Sequence, residues 1–182
     1  FRLRRVQKKP LAKLVPVGIL EVESGHLSIH LGTSRETADF LADSLKDWWD
    51  ARKSEHVQVR KLVIELDNGP EVQSHRTQFM RRLTEFADIS QLEIELVYFP
   101  PYHSKYNAIE RWWSALERHW NGSLLNSVST AINWARTMTW KMLHPTVGLC
   151  ETIYERGVRL TRAAFAAIEE RLERAPDLSR WS

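Results

Sequence analysis

Two short apolar runs, separated by one helical pattern, constrain the fold of this chain more than any other feature. The first run is KLVIEL, which ends at Leu66, and the second is LEIELVYF, which ends at Phe99. Between them Phe79, Met80 and Leu83 recur at helical spacing. A strand, a helix and a second strand in this order form the crossover unit of a parallel sheet. Because KLVIEL is nearly continuous in apolar residues, we predict a central strand covered on both faces.

The other elements complete a layered domain. Upstream, LVPVGIL and LSIHL flank a serine-glycine turn and predict an antiparallel hairpin. A helix should follow, with Thr33 and Glu36 at the spacing of a capping box. Further helices are predicted across residues 108–120 and 128–142 and around Phe165, Ile168 and Leu172. We therefore predict an α/β domain with a mixed sheet flanked by helices.

Composition excludes several classes of function. The length of 182 residues and the hydrophobic content of 43% suit one globular domain. No apolar run approaches the roughly 18 residues of a membrane span, so we expect a cytoplasmic protein. Cys150 is the single cysteine, which excludes an intramolecular disulfide and a cysteine-based zinc cluster. The sequence has no glycine-rich phosphate loop, so P-loop nucleotide binding is unsupported.

The basic residues are concentrated at the start of the chain. All of those before the first acid, Glu21, fall within residues 1–13: Arg2, Arg4, Arg5, Lys8, Lys9 and Lys13. A basic arm of this kind can neutralise phosphates, although a solvated terminus has the same composition.

Two acids, Asp67 and Glu110, are candidates for a shared site. Asp67 directly follows KLVIEL, at the carboxyl end of a strand, where open α/β sheets bind ligands. A simple turn is the alternative, because DNGP is turn chemistry. Glu110 lies in the first turn of a predicted helix, where a capping role beside Asn107 would also explain it. If the two strands are parallel neighbours, both carboxylates can converge at one sheet edge and share a cation such as Mg²⁺.

Four segments carry a resemblance to a known family. They are LVIELDNGPE, RTQFMRRLTEFAD, LVYFPPYHSKYNAIERWWSALERHWNGSLL and WARTMTWKMLHPTV. The chain resembles the ISAzo-type bacterial insertion-sequence transposases from about Lys9 to Trp181. That family belongs to the DDE transposase and retroviral-integrase superfamily, whose fold is RNase H-like.

The resemblance implies DNA strand cleavage and transfer at two Mg²⁺ or Mn²⁺ ions. By this match Asp67 is the second acid of the catalytic triad and Glu110 the third. Asn107 matches the asparagine before the glutamate, and Ala108 stands where a proline is more usual. The implied partners are DNA, meaning transposon ends and target, and further copies of the chain assembled on it.

The first acid of the triad has no match. Residues 1–20 contain no acid, and Glu21, Glu23 and Asp39 fall on the predicted hairpin or first helix. We therefore expect a basic leader over residues 1–13, a catalytic core lacking its first strand over 14–145, and a helical extension over 146–182. Such a chain should be inactive alone. The alternatives are a non-catalytic DNA-binding remnant and a subunit-interaction module.

Basic and aromatic residues surround the two acids. The candidates for contact with DNA near Glu110 are Tyr102, His103, Lys105, Asn107 and Arg111, while Arg118 and His119 could meet phosphates further along the helix. A solvated rim is the alternative. We predict that the tryptophans at helical spacing are core residues, namely Trp48, Trp49, Trp112, Trp134 and Trp140.

Overall fold

The computed structural model describes residues 14–67, 69–73, 76–99, 107–120 and 127–174. Its strands are β1 (Val15–Leu20), β2 (Leu27–Gly32), β3 (Lys61–Leu66), β4 (Glu93–Tyr98) and β5 (Thr146–Cys150). Its helices are α1 (Ala38–Arg52), α2 (Thr77–Ser90), α3 (Ala108–Trp120), α4 (Val128–Thr137) and α5 (Arg162–Glu169). None of the helices in these ranges is long and apolar enough to cross a membrane.

The strands form two sheets. In the first, the order is β1-β2-β5, with β1 antiparallel and β5 parallel to β2. In the second, β3 and β4 are parallel neighbours joined through α2, as the two apolar runs predicted. The chain is thus an α/β protein with mixed sheets flanked by helices, an architecture compatible with an RNase H-like fold.

α1 packs against both sheets. Near its start, Phe40 lies in a buried cluster with Val17 and Val15, at the beginning of β1. Also near its start, Ala38 shares a cluster with Leu66, at the end of β3. The far end of α1 is anchored by tryptophans that contact the end of β1 and the beginnings of β3 and β4, through Trp48, Trp49, Ile19, Leu62 and Ile94. Because β1 and β3 run in opposite directions along the same helix, the start of β1 and the end of β3 lie at one end of the layer.

α3 and α4 cover the opposite face of the first sheet. Trp112 and Leu116 of α3 and Ala135 of α4 lie in one buried cluster with the β2 residues Leu27 and Ile29. Side chains alternate along a strand, so β2 presents these residues to α3 and α4 and presents Gly32 to α1. The first sheet therefore lies between two helical layers.

The second sheet corrects one prediction. β3 alternates between exposed and half-buried residues, and Val63 is 51% exposed. Its outer face also carries Lys61, which pairs with Glu93 and Glu95 of β4. The prediction of a strand covered on both faces was wrong, because only the face that meets α1 and α2 is covered in the described residues. The apolar run hid this alternation, since Val63 is apolar but exposed.

Other boundaries also differ from the predictions. The cap of α1 is Thr37, whose hydroxyl accepts a hydrogen bond from Phe40, so the capping box predicted at Thr33 was wrong. α4 ends at Thr137 instead of reaching residue 142. β5 was not predicted, since residues 146–150 were assigned to a helical extension but pair with β2. The apolar stripe of the last helix is confirmed, because Phe165, Ile168 and Leu172 pack against α2.

Candidate active site

Asp67 is the first residue after β3. Its side chain is exposed, and its Oδ1 accepts a hydrogen bond from the Gly69 amide at 3.3 Å. This local hydrogen bond orients the carboxylate at the strand end, as in other turns where an aspartate accepts from the amide two residues later. The remaining carboxylate oxygen, Oδ2, has no hydrogen-bond donor among the described residues. It is available to a ligand at the carboxyl edge of the second sheet.

Asn107 caps the helix that carries Glu110. The Asn107 side chain is largely buried, and its Oδ1 accepts a hydrogen bond from the Ile109 amide at 3.3 Å. Its backbone carbonyl accepts a second from the Glu110 amide at 3.1 Å. The predicted N-cap is therefore confirmed.

Glu110 is half-buried in the first turn of α3. Within the described part of the chain, its carboxylate has no hydrogen-bond or ion-pair partner. The reciprocal bond of a capping box, which the Asn107 backbone amide would donate to the Glu110 carboxylate, is not formed there. Capping thus explains Asn107, and Glu110 retains the favourable position of an acid in the first turn of a helix.

Gly18 sets the position of this helix turn. A Cβ atom at Gly18 would lie 3.0 Å from side-chain atoms of both Ile109 and Trp113. A larger residue would require these side chains to move, so glycine favours the close approach of the first turn of α3 to β1. The first turn of α3, which includes Glu110, therefore packs through Ile109 on β1, the edge strand of the first sheet.

The two acids lie on different elements. Asp67 leaves the second sheet at the end where β1 begins, and Glu110 follows Ile109, whose side chain lies next to Gly18 of β1. The ligand atoms suit a hard cation, since both side chains offer carboxylate oxygens that accept few or no hydrogen bonds from the described residues. Among the residues that the structure describes, no group of three or more His, Cys, Asp or Glu side chains could hold a metal ion.

The other predicted site residues divide into two groups. Tyr102, His103 and Lys105 lie outside the described residues. Arg111 is exposed on α3 directly after Glu110, and no carboxylate of the described ranges pairs with it.

One predicted core residue is at the surface. Trp48, Trp49 and Trp112 are buried as predicted, but Trp134 is 37% exposed. The prediction for Trp134 was wrong because α4 buries Ala131 and Ala135, which leaves Trp134 at the border of the packed face. Its ring lies edge-on to His119, with 5.1 Å between ring centroids. Helical spacing alone cannot distinguish a buried row of side chains from the row beside it.

Comparison with protein families gives one match. The family model described as the Rhodopirellula transposase DDE domain matches residues 5–182. Searches of curated proteins and of solved structures found no match.

Proposed function

This chain belongs to the Rhodopirellula transposase DDE domain family, and from that membership we propose that it forms part of the catalytic domain of an insertion-sequence transposase. In its complete form the enzyme cleaves and joins DNA strands during transposition. The observation that carries the proposal is the match over residues 5–182. The positions of Asp67 at a strand end and Glu110 at a helix start support it. We propose that it works in the cytoplasm, as a homo-oligomer assembled on DNA.

Asp67 and Glu110 would hold the divalent cations of the reaction. Mg²⁺ and Mn²⁺ prefer oxygen ligands, and both carboxylates have oxygens free of donors in the described ranges. Two bound ions would make the attacking water or DNA 3′-hydroxyl more acidic and neutralise charge on the leaving oxygen. The chain's own contribution is to hold the two acids in place, Asp67 by its turn and Glu110 by the Asn107 cap.

We propose that a third acid comes from outside the described residues, on a strand that would lie between β1 and β3. Each of these strands has one edge that pairs with no strand of the described ranges, and both lie against α1. A strand in this space would join the two sheets into one mixed sheet, as the resemblance to RNase H-like enzymes implies. Residues 1–182 alone should therefore bind a cation weakly and leave DNA uncut.

The experiment supplies the proposed strand. An upstream segment with an aspartate-bearing strand is fused to residues 1–182, and cleavage of DNA that carries the element's ends is measured with Mg²⁺ or Mn²⁺. We expect cleavage by the fused chain only. Asp67→Asn or Glu110→Gln should each abolish it, and each should cost nearly as much as both together, because triad members act as a unit.

Glu93→Gln is the matched control, since Glu93 is an exposed acid on the outer face of β4. It should leave cleavage unchanged. Metal-dependent cleavage by residues 1–182 alone that survives Glu110→Gln would refute the assignment of these acids. A fused chain that binds DNA but never cleaves it would instead favour the non-catalytic, DNA-binding alternative.

A further inference from the structure

A series of hydrogen bonds connects the end of β4 to the carboxylate of Asp67. The Tyr98 hydroxyl donates a hydrogen bond to the Val72 carbonyl at 2.7 Å, the usual length of a hydrogen bond between two oxygens. The Val72 amide donates to the Gly69 carbonyl at 3.1 Å. The Gly69 amide in turn donates to Oδ1 of Asp67 at 3.3 Å. These hydrogen bonds therefore lead from one tyrosine to one of the two candidate metal ligands.

Val72 anchors the turn that follows Asp67. Its side chain is 6% exposed and lies in a buried cluster with Phe79 of α2. Its carbonyl accepts the hydrogen bond from Tyr98, which is the last residue of β4 and pairs with Leu66 of β3. Leu66 is the residue directly before Asp67. The turn is thus attached to α2 through the Val72 side chain and to β4 through the Val72 carbonyl.

The Tyr98 hydroxyl is a well-placed donor. The Tyr98 side chain is partly buried, and burial raises the pKa of its hydroxyl to about 12, so the hydroxyl keeps its proton at neutral pH. A second side chain, Arg76, donates from its Nε to the Pro70 carbonyl at 2.6 Å, but this bond is exposed. Water can replace an exposed donor, whereas a carbonyl left without a donor inside the protein costs free energy. The Tyr98 bond is therefore the costlier of the two to lose.

Tyr98 also belongs to the strand that precedes the other acid. β4 ends at Tyr98, and the next helix along the chain is α3, which begins at Ala108 and carries Glu110 in its first turn. Tyr98 therefore connects the turn that carries Asp67 to the strand that comes before Glu110 in the chain.

We propose that Tyr98 is a positioning residue for Asp67. Its hydroxyl holds the Val72 carbonyl, and the hydrogen bonds through Val72 and Gly69 orient the Asp67 carboxylate. Such a contact matters for catalysis, because a displacement of about 1 Å in a catalytic site can lower a rate about 100-fold. The inference rests on the proposed function, since it gives Tyr98 a part in holding a cation ligand. In this role Tyr98 itself contacts neither the cation nor DNA.

The first test needs neither metal nor DNA. Backbone hydrogen exchange is measured in residues 1–182 and in the same chain with Tyr98→Phe, which removes the hydroxyl and keeps the ring. The Val72 amide should exchange about tenfold faster in the variant, because the loss of one buried hydrogen bond has an effect of this order, and the Gly69 amide should also exchange faster. The Phe99 amide, which donates to the Leu66 carbonyl at 3.0 Å, should exchange as before.

Tyr154→Phe is the matched control. The Tyr154 hydroxyl is also partly buried, and it donates a hydrogen bond to Oδ2 of Asp43 on α1 at 2.9 Å. The two variants lose the same chemical group, so urea unfolding should show a lower stability for each. Exchange of the Val72 amide should change in Tyr98→Phe alone. If Tyr154→Phe accelerated it equally, the change would reflect the stability of the whole domain, and the inference would be wrong.

The second test uses the fused chain described above, with its aspartate-bearing strand. Tyr98→Phe should lower kcat for DNA cleavage about tenfold and leave KM for DNA unchanged, because the hydroxyl positions a cation ligand and does not contact DNA. The Mg²⁺ concentration that gives the half-maximal rate should rise. Tyr154→Phe should keep the kcat of the parent chain. An increase in KM alone, or an equal loss of kcat in both variants, would overturn the inference.

Failure of the inference is distinguishable from failure of the proposed function. If the fused parent chain cleaves DNA and Tyr98→Phe cleaves it with the same kcat, the inference is refuted and the proposed function stands. If the fused parent chain never cleaves DNA, the proposed function is refuted, and the role of Tyr98 in holding a cation ligand is refuted with it.

Discussion

At the scale of single residues, the carboxylate of Glu21 contributes to stability through several hydrogen bonds. Its carboxylate, 8% exposed, accepts hydrogen bonds from Arg52, Ser24 and Trp48 at 2.7 to 3.2 Å. Burial raises the pKa of Glu21, but the hydrogen bonds from Arg52, Ser24 and Trp48 outweigh it and lower the pKa to about 2. The cluster ties the hairpin turn to the end of α1.

Glu21→Gln should therefore destabilise the protein in a pH-dependent way. Because the pKa is lower in the folded state than its usual value of 4.5, the charged form stabilises the fold above about pH 4.5, and this stabilisation is lost as the pH falls toward 2. We expect the variant to lose about 3 kcal/mol of unfolding free energy at pH 7, and much less at pH 2. Urea unfolding across this range measures the difference.

Glu55→Gln is the control, because Glu55 also pairs with Arg52 but is 57% exposed. Its effect should be small at every pH. If Glu21→Gln lost the same unfolding free energy at every pH from 2 to 7, the carboxylate would contribute by packing and not by charge.

The residues of the candidate site were predictable to different degrees. The positions of Asp67 and Glu110 were predictable from general rules, because the end of a strand and the start of a helix can be recognised in a sequence. The packing of the first turn of α3 on β1 was not predictable, since it depends on the contact of Ile109 with Gly18 across a long sequence separation. The absence of acids between Glu117 and Glu151 can be read from the sequence. The exposure of Trp134 was not predictable, because it depends on how α4 packs.

At the scale of elements, α1 and β2 are packed as closely as a glycine allows. A Cβ atom at Gly32 would lie 2.8 Å from Cζ of Phe40, whose ring is 1% exposed. Gly32→Ala should therefore destabilise the protein by about 1 to 3 kcal/mol, since the buried ring has to move. Gly148→Ala on the neighbouring strand β5 is the control, because its Cβ would meet only His30, at 3.9 Å. Chemical unfolding should show a lower stability for Gly32→Ala than for Gly148→Ala. Equal stabilities would mean that the α1–β2 contact adjusts without cost.

The elements themselves were predicted best where a pattern is local. The hairpin, α2, α3 and the parallel pair of β3 and β4 follow from short-range periodicity and turn chemistry. β5 was missed because TVGLC is short and its partner, β2, lies far away in the sequence. Nothing within β5 indicates a strand until β2 supplies its hydrogen bonds.

At the scale of the whole molecule, the described part of the chain begins at the end of the layer that carries Asp67. The chain enters β1 at the end of the layer where β3 delivers Asp67. Deleting residues 1–13 should therefore weaken DNA binding and flatten its salt dependence, because each phosphate contact contributes about 0.9 to the slope. Titration at several salt concentrations measures this. Residues 1–182 with glutamine at the six basic positions of residues 1–13 should match the deletion, and an unchanged slope would show a solvated terminus.

The two sheets also differ in when they can form. Paired residues of β3 and β4, such as Lys61 and Glu93, are close in the sequence, whereas those of β2 and β5, such as Ser28 and Thr146, are far apart. On a ribosome, the unit of β3, α2 and β4 is complete long before β5 has been synthesised. Closing the longer loop costs more chain entropy, so pairing of β5 should be a late step in folding. Until then one edge of β2 is open to wrong partners. The nascent chain should therefore be most prone to aggregate before β5 has been synthesised and paired, when the segment that bears Asp67 has already folded.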